Sequence, residues 1–167
     1  MNEKKPERKN PRLQGFDYNT PGVYFITICT DKRKNFLSTI VGDGSPIPKL
    51  TAFGEITDKQ IRKIPEKYKN VTVDNSVIMP NHIHLLLSVN YNNGMGNPSP
   101  TISSVIAWLK YQITKNINNE KNTVGEKIFQ RSFYDHIVRN QNDYDEIYNY
   151  ISENPLRWKL DKLYNEG

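Results

Sequence analysis

Residues 77–89 read VIMPNHIHLLLSV. HIHLLLSV is an apolar, strand-like run, VTVDNSVIM before it is another, and Pro80-Asn81 makes a tight connection between them. On a strand, residues i and i+2 point to the same side. His82 and His84 therefore project together, while Ile83 faces the other way, into the core. Two neutral imidazoles fixed on a rigid strand are a partial site for a divalent metal. Two surface histidines on a half-exposed strand would leave the same pattern. The apolar setting weighs against that, because buried polar groups need partners.

Working outward, the Pro21-Gly22 turn precedes VYFITICT, a strand rich in β-branched and aromatic residues. FLSTIV and IPKL flank GDGSP and read as a hairpin. From Thr51 to Tyr68, Phe53, Ile56, Ile61 and Ile64 fall at helical spacing. YNNGMGNPSP has loop composition. Thr101 to Asn119 is the clearest helix, with a stripe of Ile102, Val105, Ile106, Leu109, Ile113 and Ile117, and Ser99 or Thr101 as its cap. IFQRSFYDHIV reads as a further strand. Asp143 can cap a last helix through Tyr144, Ile147, Tyr150 and Ile151, which Pro155 should end near Asn154. The order β, β-hairpin, α, β, β, α, β, α predicts an α+β fold.

The chain has 167 residues, of which 36% are hydrophobic, enough for one core. The net charge is +5 and the pI near 9.2, which suits a polyanionic partner. Residues 1–12, MNEKKPERKNPR, read as a basic flexible arm, and residues 13–167 as a single domain. The arm carries no apolar core of the kind a signal peptide needs, and no run is long and apolar enough for a membrane span. The single cysteine, Cys29, lies in an apolar run and reads as a buried thiol, so neither an internal disulfide nor a cysteine-based zinc site is expected. A cytoplasmic, reducing location is the expectation.

RLQGFDYNTPGVYFITICT, MPNHIHLLLSV and FQRSFYDHIVRNQNDYDEIYNYISENPLRW together resemble the REP-associated tyrosine transposases. These are relatives of the single-tyrosine insertion-sequence transposases with a His-hydrophobic-His (HUH) motif. The resemblance spans nearly all of residues 11–159. It implies a ferredoxin/RRM-like antiparallel sheet with helices packed mainly on one face and the HUH motif on a central strand. It further implies a metal-dependent single-stranded DNA endonuclease and strand transferase, acting at or near DNA hairpins through a 5′-phosphotyrosine intermediate. The implied nucleophile is Tyr150, with Asn154 four residues later as third metal ligand beside His82 and His84. Spacing of i and i+4 sets Tyr150 and Asn154 on one helix face. Tyr134, Tyr144 and Tyr148 are competitors, but Tyr148 has Ser152 at the corresponding interval. Relatives often carry glutamine where Asn154 stands. His136, Arg139 and Asn140 also match the family pattern, either as contacts to phosphate or DNA or as locally paired groups.

Two imidazoles and a neutral amide would suit Mg2+ or Mn2+ better than tightly held zinc. A phenol with a reference pKa near 10 needs help losing its proton, and no general base is evident. Candidates for holding single-stranded DNA are Arg12, Phe16 and Tyr18, Lys32 to Lys34, and Lys110 with Lys115. The resemblance implies a hairpin-bearing, REP-like partner and a monomer acting in cis, with a helix-exchanged dimer as the alternative. Two other readings stay open. One is a metal phosphodiesterase using His82, His84 and His136 with activated water; the other is a nucleic-acid-binding module without catalysis.

Overall fold

A computed structural model of the chain describes residues 20–91 and 100–166. The expected basic arm with Arg12, the neighbouring Phe16 and Tyr18, and the loop sequence over 92–99 lie outside the described residues. In chain order the elements are β1 (Gly22–Cys29), β2 (Ser38–Val41), β3 (Ile47–Leu50), α1 (Ala52–Arg62), α2 (Ile64–Lys67), β4 (Val71–Ile78), β5 (His82–Val89), α3 (Ile102–Glu120), β6 (Tyr134–Ile137) and α4 (Gln141–Glu153). One turn of 3-10 helix follows β1, and a longer one, Asn154–Leu160, follows α4. Among the described residues no helix is long and apolar enough to cross a membrane.

Four strands form an antiparallel sheet in the order β4-β5-β1-β6, while β2 and β3 form a separate hairpin. Leaving out the hairpin and α4, the chain runs β-α-β-β-α-β, the ferredoxin-like arrangement. The histidine strand β5 is interior, as expected. Ile83, Leu85, Leu87 and Val89 face the main core, which also holds Ile61 of α1 and Ile102, Val105, Ile106, Leu109, Ile113 and Ile117 of α3. His82, His84 and Leu86 are buried on the opposite face, outside that cluster. There α4 packs against β4 and β5. Helices thus lie mainly on one face, and α4 with the 3-10 turn after it covers part of the other.

A bulge between Val73 and Asn75 in β4 turns consecutive side chains toward α4. Asp74 accepts from Ser88 and from the Tyr144 hydroxyl at 3.3 Å. Asn75 Nδ2 donates to the Tyr148 carbonyl at 3.0 Å and to Ser152 Oγ at 2.9 Å. Tyr144 and Tyr148, two of the competing tyrosines, are accounted for by this docking; their rings stack at 6.2 Å.

Several local expectations are corrected. The helix expected from Thr51 to Tyr68 breaks at Lys63, because Pro65 lacks the N–H that would continue it. The strand expected over IFQRSFYDHIV shrinks to four residues plus an isolated Thr30–Phe129 bridge. Lys110 Nζ donates to the Gln130 and Arg131 carbonyls, which a ladder would otherwise have used. The last helix is capped by Asn140, not Asp143: Asn140 has extended backbone and its Oδ1 accepts from Asp143 N at 3.0 Å. α4 ends at Glu153, where Pro155 is expected to end it, but Asn154 keeps helical dihedrals (φ −55, ψ −41), so the chain passes directly into a 3-10 turn.

Thr51 caps α1 and also donates to the Phe36 and Leu37 carbonyls, drawing the helix start onto the hairpin. At Gly54 a Cβ would collide with the Leu37 carbonyl oxygen and press on Leu50. Gly54→Ala is therefore expected to destabilise the chain by about 2 kcal/mol or more, read as a lowered midpoint in urea unfolding at unchanged slope.

Candidate active site

Antiparallel register sets Thr27 opposite His84 and Cys29 opposite His82. The thiol of Cys29 is buried, as expected, and burial holds its pKa up. Thr27 Oγ1 lies 2.9 Å from His84 Nδ1. Asn81 Oδ1 lies 2.8 Å from His82 Nδ1. With both Nδ1 atoms engaged, the two Nε2 atoms face each other at 3.1 Å.

The chemistry of Asn81 settles which nitrogen of His82 carries the proton. Its Nδ2 faces carbonyl oxygens, Leu163 at 2.8 Å and Arg33 at 3.5 Å, so the other amide atom is the acceptor oxygen. His82 Nδ1 must then donate, and Nε2 of the neutral ring is left with a free lone pair. Thr27 can donate or accept, so His84 is free to hold its proton on either nitrogen. Burial depresses both imidazoles. His82 falls to about 4, with Arg33 adding to the effect and Asp161 and the Asn154 amide opposing it. His84 also falls well below its ordinary value, through burial first and then His82 and Lys162. Both rings are neutral at physiological pH, the form that ligates metals.

Tyr150, on α4, brings its ring to 5.4 Å from His84 and 5.9 Å from Phe25. It is 39% exposed, opening onto a cavity of about 620 Å³ also lined by His84, Tyr134 and His136. Burial raises the phenol's pKa, Asp161 raises it further, and the Asn154 amide lowers it. One turn on, Asn154 is 2% exposed; its Nδ2 donates to Asp161 Oδ2 at 3.2 Å. Asn154 Oδ1 is buried and has no hydrogen-bond partner.

Sequence reasoning missed Asp161. It offers a carboxylate oxygen within 4.8 Å of imidazole nitrogens of both His82 and His84. It lies beyond the 3-10 turn, at no fixed spacing from any recognised motif. The residues present fit a divalent cation: two imidazole nitrogens converge, one with a free lone pair and the other able to present one, a carboxylate joins them, and a buried carbonyl oxygen lacks a donor. With Asp161 the donor set carries a negative charge, whereas the expected set of two imidazoles and an amide carried none.

The remaining candidates lie around this centre. His136 reaches the cavity, but its Nε2 is also 3.0 Å from Asp143. Arg139 donates its backbone N–H to the same carboxylate, and Asn140 serves as the helix cap. These bonds hold Asp143 below the usual carboxylate range, the His136 contact most of all. Lys32 and Arg33 both adopt left-handed backbone (φ 53 and 54), a strain of about 1–3 kcal/mol each for such residues. The turn is held by Arg33 N→Thr30 O and by Asn165 Nδ2→Arg33 O at 2.7 Å.

The sequence matches the model of a family described as transposase, IS200-like, over residues 23–154. An uncharacterised protein of Haemophilus influenzae is 30% identical over 172 residues, covering 94% of this chain and 93% of its own length. A second H. influenzae protein, provisionally named a REP-associated tyrosine transposase, is 27% identical over 150 residues, covering 84% and 74%. Among solved structures, a REP-associated tyrosine transposase bound to a REP hairpin superposes with a TM-score of 0.59 at 22% identity, covering 81% of this chain and 67% of that one. A Deinococcus radiodurans protein, provisionally named a transposase, superposes with a TM-score of 0.50 at 15% identity, covering 85% and 95%. These two likenesses bear on the fold.

Two outcomes are expected from this geometry. Asn81→Ala should weaken Mn2+ binding by roughly 10- to 100-fold, as loss of a ligand-orienting partner does, measured by calorimetry on folded protein. In chelator, stability should fall as pH drops from about 6.5 toward 4, since the unfolded chain then binds protons that buried His82 refuses. Thermal melts should show that decline flattened in the His82→Gln/His84→Gln double variant.

Proposed function

The chain belongs to the IS200-like transposase family, whose members are DNA-processing enzymes, and we propose that it cuts and rejoins single-stranded DNA beside a hairpin with Tyr150 as nucleophile. The observation that carries this reading is one phenol ring centred 5.4 Å from that of His84, itself paired with buried His82, with a partnerless amide oxygen one helical turn further on. The hairpin partner is inferred from the structural relative that holds one.

In the proposed reaction the Tyr150 hydroxyl oxygen attacks the scissile phosphorus in line and gives its proton to water. The P–O3′ bond breaks, and the departing O3′ takes up a proton to become a free hydroxyl. The phosphodiester is conserved as a link between Tyr150 and the 5′ end, so a 3′-hydroxyl can later displace the phenol without a nucleotide cofactor. A divalent ion, Mg2+ or Mn2+, held by His82, His84, Asp161 and Asn154, would supply Lewis acidity toward the phosphate and offset the charge that disfavours a phenolate. The chain's own residues do the rest. Asn154 lowers the phenol's pKa against the opposing effects of burial and Asp161. The docking of α4 through Asp74 and Asn75 fixes the helix that carries the nucleophile. Because one chain brings all these groups together, we infer that a monomer acting in cis suffices.

The water-activating alternative has less support. His136 is held by Asp143 and stands apart from the group formed by His82, His84 and Asp161. A purely binding role leaves the gathering of two neutral imidazoles, a carboxylate and an orphan amide oxygen unexplained.

With Mn2+ and a panel of labelled hairpin oligonucleotides bearing single-stranded flanks, a protein–DNA adduct stable to denaturant is expected. Tyr150→Phe should abolish it, and cleavage that persists without an adduct would refute the nucleophile. Asp161→Asn should raise the Mn2+ concentration needed for half-maximal adduct formation by roughly tenfold or more, at least what losing a ligand-orienting partner costs.

A further inference from the structure

Two cations line the cavity beside Tyr150: Arg33, from the turn after β1, and Lys162, from the segment after the last 3-10 turn. Among the described residues neither forms an ion pair. Three other lysines are engaged: Lys127 with Asp31, Lys121 with Glu126, and Lys110 with two carbonyls. Arg33 and Lys162 are exposed cations from distant segments that meet at the cavity holding the nucleophile.

Their backbones are also held in place. Asn81 is fully buried and donates to the carbonyls of both Arg33 and Leu163, the latter adjacent to Lys162. Asn165 Nδ2 donates to the Arg33 carbonyl as well, and Asn35 Nδ2 returns a bond to the Asn165 carbonyl at 3.2 Å. Leu163 N donates to Asp161 Oδ1 at 2.7 Å. The two cation-bearing segments, more than a hundred residues apart in sequence, are thus stitched to each other and to the residue preceding His82. Arg33 sits in left-handed backbone, a conformation that persists where the surroundings impose it.

We propose that Arg33 and Lys162 form an anion grip that holds one nucleotide phosphate in the cavity beside Tyr150. The cavity, about 620 Å³, falls within the range of about 300–1,000 Å³ typical of small-molecule clefts. Arg33 offers a planar fork to two phosphate oxygens, and Lys162 a mobile point charge. Exposed Tyr134, also in the lining, offers a ring face to an adjoining base. The acidic residue of the lining is Asp135, and Asp161 lies close by, so both cations are needed to offset the carboxylates around the nucleophile. The identity of the phosphate as the scissile one rests on the strand-transfer reading above; the presence of an anion subsite does not.

The test is an NMR titration of the full chain in EDTA, so that side chains alone are read. One probe is the dinucleoside monophosphate d(TpT), the other its uncharged methylphosphonate analogue. Saturable shifts at the Arg33 Nε–H are expected with d(TpT), and roughly tenfold or weaker binding of the analogue, the size of a charge-assisted contact. Arg33→Ala/Lys162→Ala should bind both probes equally weakly, whereas Lys162→Arg should keep the preference. Both positions are exposed, so folding should survive, and an unchanged melting temperature checks this. Equal affinity of the unaltered chain for the two probes, no saturable shift, or a preference that survives in the double variant would each overturn the grip. An adduct in the Tyr150 assay without charge preference here refutes the grip and leaves strand transfer standing; preference without an adduct does the reverse.

Discussion

Two imidazole nitrogens meet at 3.1 Å in a place closed to water, each ring held neutral by its surroundings. Lone pairs brought that close repel unless a proton or a cation lies between them. The neighbouring structure maintains this arrangement. β1 pairs with β5 in the register that sets Thr27 against one ring, and Asn81 fixes the other from the adjacent chain position. Asp161 completes the set from a segment that sequence distance alone would not associate with it. A hydrophobic pair in their place would pack without any of these bonds, so stability alone does not account for an arrangement that is compatible with a metal site.

The ferredoxin-like frame makes such a site affordable. The main core, built from one face of the sheet with α1 and α3, contains no part of it. The histidines occupy the other face, where α4 covers one half and leaves the β1 and β6 side open to the cavity. Stability and chemistry are therefore carried on opposite faces of a single sheet, and the residues of β5 alternate between the two.

Much of this was legible in the residues. The pairing of the two histidines and the inward aim of Ile83 follow from strand periodicity, and the stripe on α3 from helical periodicity. The α+β class followed from the order of elements, and the family with its ferredoxin-like sheet from three matching stretches together. Local rules failed where tertiary contacts competed with them. Asn140 and Asp143 are both good caps, and only the backbone at Asn140 and its bond from Asp143 decide between them. Pro155 does not turn the chain out of helical backbone at the residue before it: Asn154 retains helical dihedrals, and that continuation carries the chain round to Asp161. No spacing rule connects Asp161 to β5, because their proximity depends on how the 3-10 turn lies against the sheet. Trp158, whose ring lies 5.9 Å from His82, is part of that contact.

The stitching of distant segments through Asn81 has a consequence for when the protein can act. Groups from β1, from the turn at Arg33, from β5, from α4 and from the residues around Leu163 share one centre. A nascent chain emerging from the ribosome has no such centre until nearly every strand of the sheet has been made and paired. Premature termination or a proteolytic nick would leave the histidines without Asp161. A centre of the proposed kind therefore exists only once the segment around Asp161 has folded against the histidine strand.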